Sequence, residues 1–544
     1  MRLRFAPQLI VLLAAAILSA ASVGFVLSRG YTLYFGDAEA HLNIARRIID
    51  SRTPGPDQIG TVWLPLPHLL TATLVWNDRL WQTGLAGAIP SAAAFVATCV
   101  LIYAAARRIF GGVVAAATAA AAFALNPNIL YLQSIPMTES ILFASIAGLV
   151  YSTVGFVQSG SLGFVLLAAA FSNAASMTRY EGWFLIPFVC LVLLLAGPRR
   201  RWTAAVLFGA LASIGPALWL VHNLWYFSNP FEFYNGPYSA KAIYQRALDA
   251  GGARAPGDHN WPQAVQYFWA AARLCAGWPL AVLGSIGVAA GLYKKRRWWV
   301  WTLLALPPIF YVWSIHSSGA NIFVPHLWPH SYYNIRYGTT LIPLLVFGLA
   351  ALVASFPGPY RLYAGGAVVA ACVLPWLIQA GGEVSIVWKE SQVNSDARRV
   401  WTARTVAYLQ KELRPSDGIF TSFGDLTGIF RSAAIPLRRT LHDGNNPHWN
   451  LAATRADLYL FEEWAVAFSG DMVATAIQRA NDRCPLYDLV GRVEVRGAQP
   501  IEIYRRTGSR AALADLCRRR VILDCETRPQ AETPVDEEPD PDER

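Results

Sequence analysis

The sequence predicts a polytopic α-helical membrane protein of about eleven spans, with a soluble α/β domain near its C-terminal end. Hydrophobic residues make up 54% of the 544, and charged residues only 15%, a balance too apolar for a water-soluble chain. Apolar runs close to the length of a bilayer crossing recur along roughly the first 380 positions. From about residue 383 charge density becomes ordinary, and helical and strand-like patterns alternate.

Taken in order, the expected spans fall at roughly 8–28, 85–106, 110–126, 139–157, 162–178, 182–197, 202–222, 277–293, 298–316, 337–355 and 362–380. The opening "MRLR" followed by an apolar run and "LSAAS" has the layout of a signal peptide. It is read as a retained first helix, because a cleaved leader leaves the following loop unexplained. That loop contains "TVWLPLPHLLTATLVW", whose Pro65 and Pro67 interrupt a helix and whose apolar part is too short to span. It is expected to lie along the membrane surface. "HLNIARRIID" places Leu42, Ile44, Ala45, Ile48 and Ile49 near helical spacing, with Arg46 and Arg47 opposite, and predicts a short amphipathic surface helix.

With the N-terminus in the cytoplasm, one side receives Arg2 and Arg4, Arg107 and Arg108, Arg199 to Arg201, Lys294 to Arg297, and Arg361, as the positive-inside rule requires. The same clustering accounts for the net charge of +10, so a nucleic-acid partner is discounted. An odd number of spans then places the C-terminal region outside the cytoplasm. A multi-pass protein of the cell membrane is expected, its function-capable loops extracytoplasmic.

Three regions are expected: 1–382 in the membrane, 383–510 as an extracytoplasmic α/β domain, and 511–544 as an extension with an acidic, Pro-rich disordered tail. The second region should hold a helix from Ser395 to Leu413, strands at "GIFTSF", "LYLF" and "IEIYRR", and a helix near Met472 to Arg483. Cys99, Cys190, Cys275 and Cys372 belong to apolar sequence, as buried small hydrophobes. Outside the cytoplasm Cys517 and Cys525 form either a short-loop disulfide or two free thiols, with Cys484 left odd.

The residues able to carry chemistry concentrate on the outer side. In "YFGDAEAHLNIARRI", Asp37 and Glu39 are two apart and do not share a helix face. One is then free to face a cavity as a general base while the other holds the loop; an exposed loop acid is the alternative. Glu139 in "SIPMTESILFA" suits a helix start as well as a site. Arg179 and Glu181 in "SMTRYEGWFLIPF" interrupt an apolar hairpin, where charge is costly unless it is paired, snorkels or lines a wet cavity. "NIFVPHLWPHSYYNIRYG" brings Tyr332, Tyr333 and Arg336 to the start of a span. Its guanidinium suits a phosphate at headgroup level, or an ordinary aromatic belt with a snorkelling arginine. Lys241 in "GPYSAKAIYQRAL" is a weaker candidate of the same kind. His326 and His330 are four apart, but Pro325 and Pro329 break the helix that a zinc pair needs. No metal site and no cofactor are assigned, and divalent-metal dependence stays open. No P-loop, GxGxxG, GxSxG or HExxH stands in a suitable context, so ATP-driven transport and hydrolase chemistry lack support.

In their order and topological side, "GDAEAHLNIARRI", "WLPLPHLL", "PMTES" and "TRYEGW" resemble the GT-C superfamily of membrane glycosyltransferases. The nearest branch holds protein O-mannosyltransferases and bacterial lipid A aminoarabinose transferases. The resemblance covers roughly residues 8–380. It implies a transferase that moves a sugar from a polyprenyl-phosphate donor to a protein, glycan or lipid acceptor outside the cytoplasm. The family's catalytic acid carries over onto Asp37 with Glu39 in support, its second acid onto Glu139, and its lipid-phosphate residues onto Arg336, Tyr332 and Tyr333. This chain departs from the family in spacing its acids as Asp-Ala-Glu rather than adjacent, and "WLPLPH" lacks the Lys found before the prolines in the aminoarabinose transferases, which argues against a lipid A acceptor. On chemical grounds Asp37 would deprotonate the acceptor hydroxyl for one-step inversion, with Arg336 and Arg179 or Lys241 stabilising the departing phosphate. The rival from another class is a non-catalytic carrier of lipid-linked saccharides. Against it stand the one-sided candidates and the lack of repeated halves. An oligosaccharyltransferase, needing a metal-binding acidic set, ranks below single-sugar transfer.

Overall fold

The computed structural model describes residues 7–198, 200–293, 297–378, 385–483 and 485–507. Arg2, Arg4, Arg199, residues 294–296, Cys484 and the expected extension 511–544, with Cys517 and Cys525, lie outside them.

The chain opens with α1 (Pro7–Ser28), α2 (Gly36–Arg47), α3 (Leu66–Val75), α4 (Asp78–Thr83) and α5 (Leu85–Phe110). A broken pair, α6 (Val113–Ala124) and α7 (Pro127–Gln133), precedes α8 (Glu139–Ser159), α9 (Leu162–Ser176) and α10 (Glu181–Ala196). Then come α11 (Arg201–Ala212), α12 (Ile214–Phe227), α13 (Glu232–Asn235), α14 (Ala240–Asp249), α15 (Trp261–Ala276), α16 (Trp278–Tyr293) and α17 (Trp298–His316). A 3-10 turn, Ile335–Leu341, leads into α18 (Ile342–Ser355), and α19 (Arg361–Ile378) follows.

Every apolar run expected from the sequence is helical, but among the described residues only seven helices are long and apolar enough to cross a membrane. The count reaches nine when α6–α7, bent by 66°, and α15–α16, bent by 109°, are each taken as one span. The expected spans at 162–178 and 182–197 are the shorter helices α9 and α10. At 1.5 Å per residue, α9 covers about 22 Å, less than the hydrocarbon core. Met177, Thr178, Arg179 and Tyr180 separate the two.

The bundle is held by small residues where helices meet. A Cβ added to Gly287 of α16 would stand 1.9 Å from the Gly348 carbonyl oxygen of α18, so these helices pack backbone to backbone. At one end of the bundle Arg297 and Gln158 both donate to the Arg108 carbonyl, at 2.8 and 3.0 Å. The N-terminus of α8 carries Glu139 to the opposite end.

The C-terminal region begins with α20 (Ile386–Glu412), longer than the helix expected from Ser395. It continues through β1 (Ile419–Thr421), α21 (Thr427–Ser432), β2 (Thr440–Leu441), α22 (His448–Thr454), α23 (Ala456–Tyr459), β3 (Trp464–Phe468), α24 (Met472–Arg483), β4 (Tyr487–Val493) and β5 (Ile501–Arg506). The sheet order is β2-β1-β3-β5-β4, with β1 parallel to β2 and β3, and β5 antiparallel to β3 and β4. "LYLF" is not a strand: its Leu458 and Tyr459 end α23, and the strand is the following "WAVAF". Trp464 to Ala467 are all buried, so both faces of β3 are covered, and such a strand reads as a continuous apolar run, which "WAVAF" is.

The largest departure concerns α2. Arg46 and Arg47 do not face solvent. Leu42 and Ala45 join one core with Ile429, Phe430 and Trp464 of the C-terminal region. Arg46 is buried, bonded to Asp50 and Asp78 and stacked over Trp81 at 4.5 Å, and Arg47 is buried over Phe423 at 4.1 Å. The C-terminal domain covers what the sequence alone presents as an exposed face.

Candidate active site

Helix α2 starts at Gly36, where the Arg398 guanidinium of α20 approaches so closely that a Cβ would lie 2.6 Å from its Nη1 and would require that side chain to shift. Asp37 and Glu39 both occupy the first turn, where the helix dipole favours a carboxylate. Two residues apart they project about 200° apart around the axis, and the structure sends them to different partners.

Asp37, 39% exposed at its side chain, is ion-paired with Arg336 Nη2. Arg336 is buried in the 3-10 turn before α18, its Nε 3.2 Å from Glu139 Oε1 and its Nη1 3.7 Å from Glu390 Oε1. Phe35 and Tyr337 flank its guanidinium at 5.1 and 4.9 Å. Arg179 reaches the same Glu139 oxygen at 3.3 Å, Glu181 at 2.9 Å, and the Thr138 hydroxyl at 2.8 Å. Arg179 also donates to Tyr311, whose hydroxyl donates to Glu181. Tyr311 stacks on Tyr337 at 4.6 Å. Glu139 Oε2 is buried without a hydrogen-bond partner among the described residues. Two guanidiniums thus share four carboxylates, and only Asp37 among the acids is open to solvent.

The sequence candidates Asp37, Glu139, Arg179, Glu181 and Arg336 therefore converge. Tyr333 stands on the rim, half exposed, its phenol raised by partial burial with Tyr337 and Asp37 nearby. Tyr332 enters through its backbone, its carbonyl accepting from Asn394 at 2.9 Å. Lys241 is exposed on α14, 5.4 Å from the Tyr234 ring, and joins none of these groups.

Glu39, expected to support Asp37 in catalysis, is turned away. It accepts from Arg431 Nε and Nη2 at 2.5 and 3.0 Å and from Asn43 at 3.0 Å. It clamps α2 to α21 of the C-terminal domain.

Several site residues were not singled out from the sequence. Glu390 arrives from α20, and Tyr311 from mid-α17. His41, one turn after Asp37, lies 2.8 Å from His68 of α3 and 4.5 Å from the Trp63 ring. Burial, with Arg179 and Arg336 nearby, pushes His41 down to about 3, so the imidazole is neutral. The Asp37–His41 spacing of four was the one signal available for it. Among the described residues no three His, Cys, Asp or Glu side chains are grouped to hold a metal ion.

An apolar cavity of about 460 Å³ opens on the outward side of α10, α15 and α17, lined by Phe184, Trp261, Val265, Ile309, Val312 and Trp313. Phe184 and Trp313 stack there at 6.2 Å, and Phe310, 5.8 Å from Phe184, meets Tyr311 edge-on.

Residues 78–225 match the family model described as dolichyl-phosphate-mannose-protein mannosyltransferase. No curated protein sequence matches. Among solved structures, ArnT from Cupriavidus metallidurans bound to undecaprenyl phosphate superposes with a TM-score of 0.52 at 13% identity, over 91% of this chain and 98% of its own. Its apo form gives 0.51 at 14% identity, over 89% and 97%. The apo Archaeoglobus fulgidus oligosaccharyltransferase gives 0.50 at 13% identity, over 85% and 69%. Such coverage extends past residues 8–380, to which the motifs confined the resemblance. This chain is a multi-pass membrane protein with the fold of the GT-C superfamily of glycosyltransferases.

Proposed function

We propose that this chain is a glycosyltransferase that moves a sugar from a polyprenyl-phosphate donor to an extracytoplasmic acceptor with inversion, Asp37 acting as general base. The observation that carries the reading is the pairing of solvent-facing Asp37 with buried Arg336, which Glu139 joins to Arg179, in a chain that also offers an apolar cavity on α10, α15 and α17. A lipid-linked donor needs these three things together: an apolar path for its chain, cations for its phosphate, and an open carboxylate near its anomeric carbon. The solved ArnT bound to undecaprenyl phosphate supports this donor class.

In this reading Arg336 and Arg179 bind the donor phosphate, the first by a planar fork suited to two phosphate oxygens. The acceptor oxygen attacks the anomeric carbon from the face opposite the phosphate while its proton passes to Asp37. The carbon–oxygen bond to phosphate breaks, and its electron pair leaves on the phosphate oxygen facing Arg336, where buried guanidinium charge stabilises it. Tyr311 and Glu181 fix Arg179, and Glu139 orients both guanidiniums through Oε1 while Oε2 stays available to a sugar hydroxyl. The basic end at Arg108 and Arg297 lies opposite the site, which supports a site outside the cytoplasm under the positive-inside rule. Residues 1–382 then form the catalytic membrane domain and 383–510 an extracytoplasmic domain.

The test is incubation of the full chain in membranes with a radiolabelled polyprenyl-phosphate sugar and cell-envelope extract. Labelled product is expected from the wild type and is lost in Asp37→Asn, while that variant still binds polyprenyl phosphate. Near-normal turnover by Asp37→Asn removes the general-base role. Transbilayer movement of label without product supports the carrier instead.

A further inference from the structure

The resting site is arranged against its own proposed ligand. Arg179 and Arg336 are outnumbered by Asp37, Glu139, Glu181 and Glu390, so an incoming phosphate meets a surplus of negative charge. It must take a guanidinium edge from one of these acids. Glu139 bridges both arginines through one oxygen, and Glu181 is locked by Arg179 and Tyr311. Asp37 is the replaceable partner: it is solvent-facing and meets Arg336 through one Nη2 contact. A phosphate that takes Arg336 Nη2 frees the Asp37 carboxylate from its guanidinium partner.

Glu390 differs from the other acids. It is 1% exposed, its Oε2 accepts the Ile335 N–H at 3.0 Å, and its Oε1 stands 3.7 Å from Arg336 Nη1, beyond hydrogen-bond reach. It belongs to α20, which also grips the loop before Asp37: Arg398 donates to the Tyr34 carbonyl at 2.5 Å, and Trp388 packs at a tilt against Tyr31, ring centroids 5.4 Å apart. One helix of the C-terminal region therefore holds both halves of the Asp37–Arg336 pair.

We infer that Glu390 is a positioning residue whose protonation decides whether Arg336 can exchange Asp37 for the donor phosphate, so that donor binding itself releases the base. This rests on the lipid-phosphate donor proposed above. The titratable groups facing Glu390 are Arg336 of the 3-10 turn, Tyr333 before it, Asp37 of α2, Tyr131 of α7 and Cys275 of α15. Arg336 sets a fixed positive charge beside it, its Nη1 3.7 Å from Glu390 Oε1. Burial, opposed by Arg336 and backbone N–H groups, pushes the Glu390 carboxyl up to about 7. Below that pH it is neutral and leaves Arg336 to the phosphate; above it, its charge competes.

The experiment is equilibrium binding of polyprenyl monophosphate to the full chain in nanodiscs, for wild type and Glu390→Gln, at pH 6 and pH 8. The amide oxygen of Gln still accepts from Ile335 N–H. The ratio of wild-type to variant Kd cancels the ligand's own ionisation. It is expected to lie near one at pH 6 and to rise to roughly tenfold at pH 8, wild type binding more weakly. A ratio constant across that range overturns the inference and leaves the donor class standing. Failure of the wild type to bind polyprenyl phosphate at either pH overturns both. Should Glu390→Gln not fold, Glu390→Asp retains a pH slope with a displaced midpoint, and an unmoved midpoint shows that another group titrates.

Discussion

Separating Glu39 from Asp37 is the assignment most open to direct refutation. Glu39 and Arg431 bury a bidentate ion pair, at 2.5 and 3.0 Å, with side chains 6% and 14% exposed. Arg431→Met keeps most of the volume but leaves the Glu39 carboxylate buried with Asn43 alone. Breaking a buried pair from one side costs about 3–5 kcal/mol, because the remaining charge has no compensation. Glu39→Gln keeps part of the hydrogen bonding and should cost less, about 1–3 kcal/mol. The double variant Glu39→Leu/Arg431→Met removes both charges together and should recover most of the loss. The assay is thermal unfolding of the purified full chain beside turnover at a temperature where every variant is folded. All three should lower or restore the unfolding midpoint in that order, with turnover within about twofold of wild type. A hundredfold loss of turnover in Glu39→Gln at an unchanged midpoint would refute the reasoning and return Glu39 to the chemistry.

Three further outcomes follow from the geometry. Arg336→Lys loses the planar fork, and polyprenyl phosphate affinity should fall by roughly tenfold to a hundredfold; an isothermal titration matching wild type would contradict it. Gly287→Val drives a side chain into the Gly348 carbonyl, so the α16–α18 crossing must open and the thermal midpoint drop; a wild-type midpoint would show that the helices are not in backbone contact. His41 has a folded-state value near 3, below its unfolded one, so the unfolded chain binds the extra proton and stability falls as pH drops from about 6.5 toward 3. In His41→Gln that slope should shrink, while the turnover profile between pH 5 and 9 keeps its shape; loss of a limb there would make His41 an acid–base participant.

Much of the architecture was legible because it is written locally. Apolar length and period depend on neighbouring residues alone, so every expected apolar run is a helix. The charges of "TRYEGW" in apolar surroundings and the "GDAEAH" after a span marked residues that do meet, since each is too costly to leave unpaired in a membrane protein. The aromatic loop led correctly to Arg336 but overvalued Tyr332, whose contribution is a backbone carbonyl. Lys241 carried a charge in the right loop and nothing to bring it inward.

What the sequence could not determine is what one segment lays over another. The same period that makes "HLNIARRI" a convincing surface helix makes it a fitting partner for α21 and β3, and only the docked C-terminal domain selects between them. Spacing showed that Asp37 and Glu39 face apart, but not which faced the site. That was decided by Arg336 and Arg431, 299 and 392 residues away along the chain. Glu390 had no local signal at all, since an acid on a polar helix costs nothing until tertiary packing removes its water. Apolar segments answer to the solvent around them, which sequence reports directly. Buried charges answer to a specific partner, and partners are assigned only when the chain closes on itself.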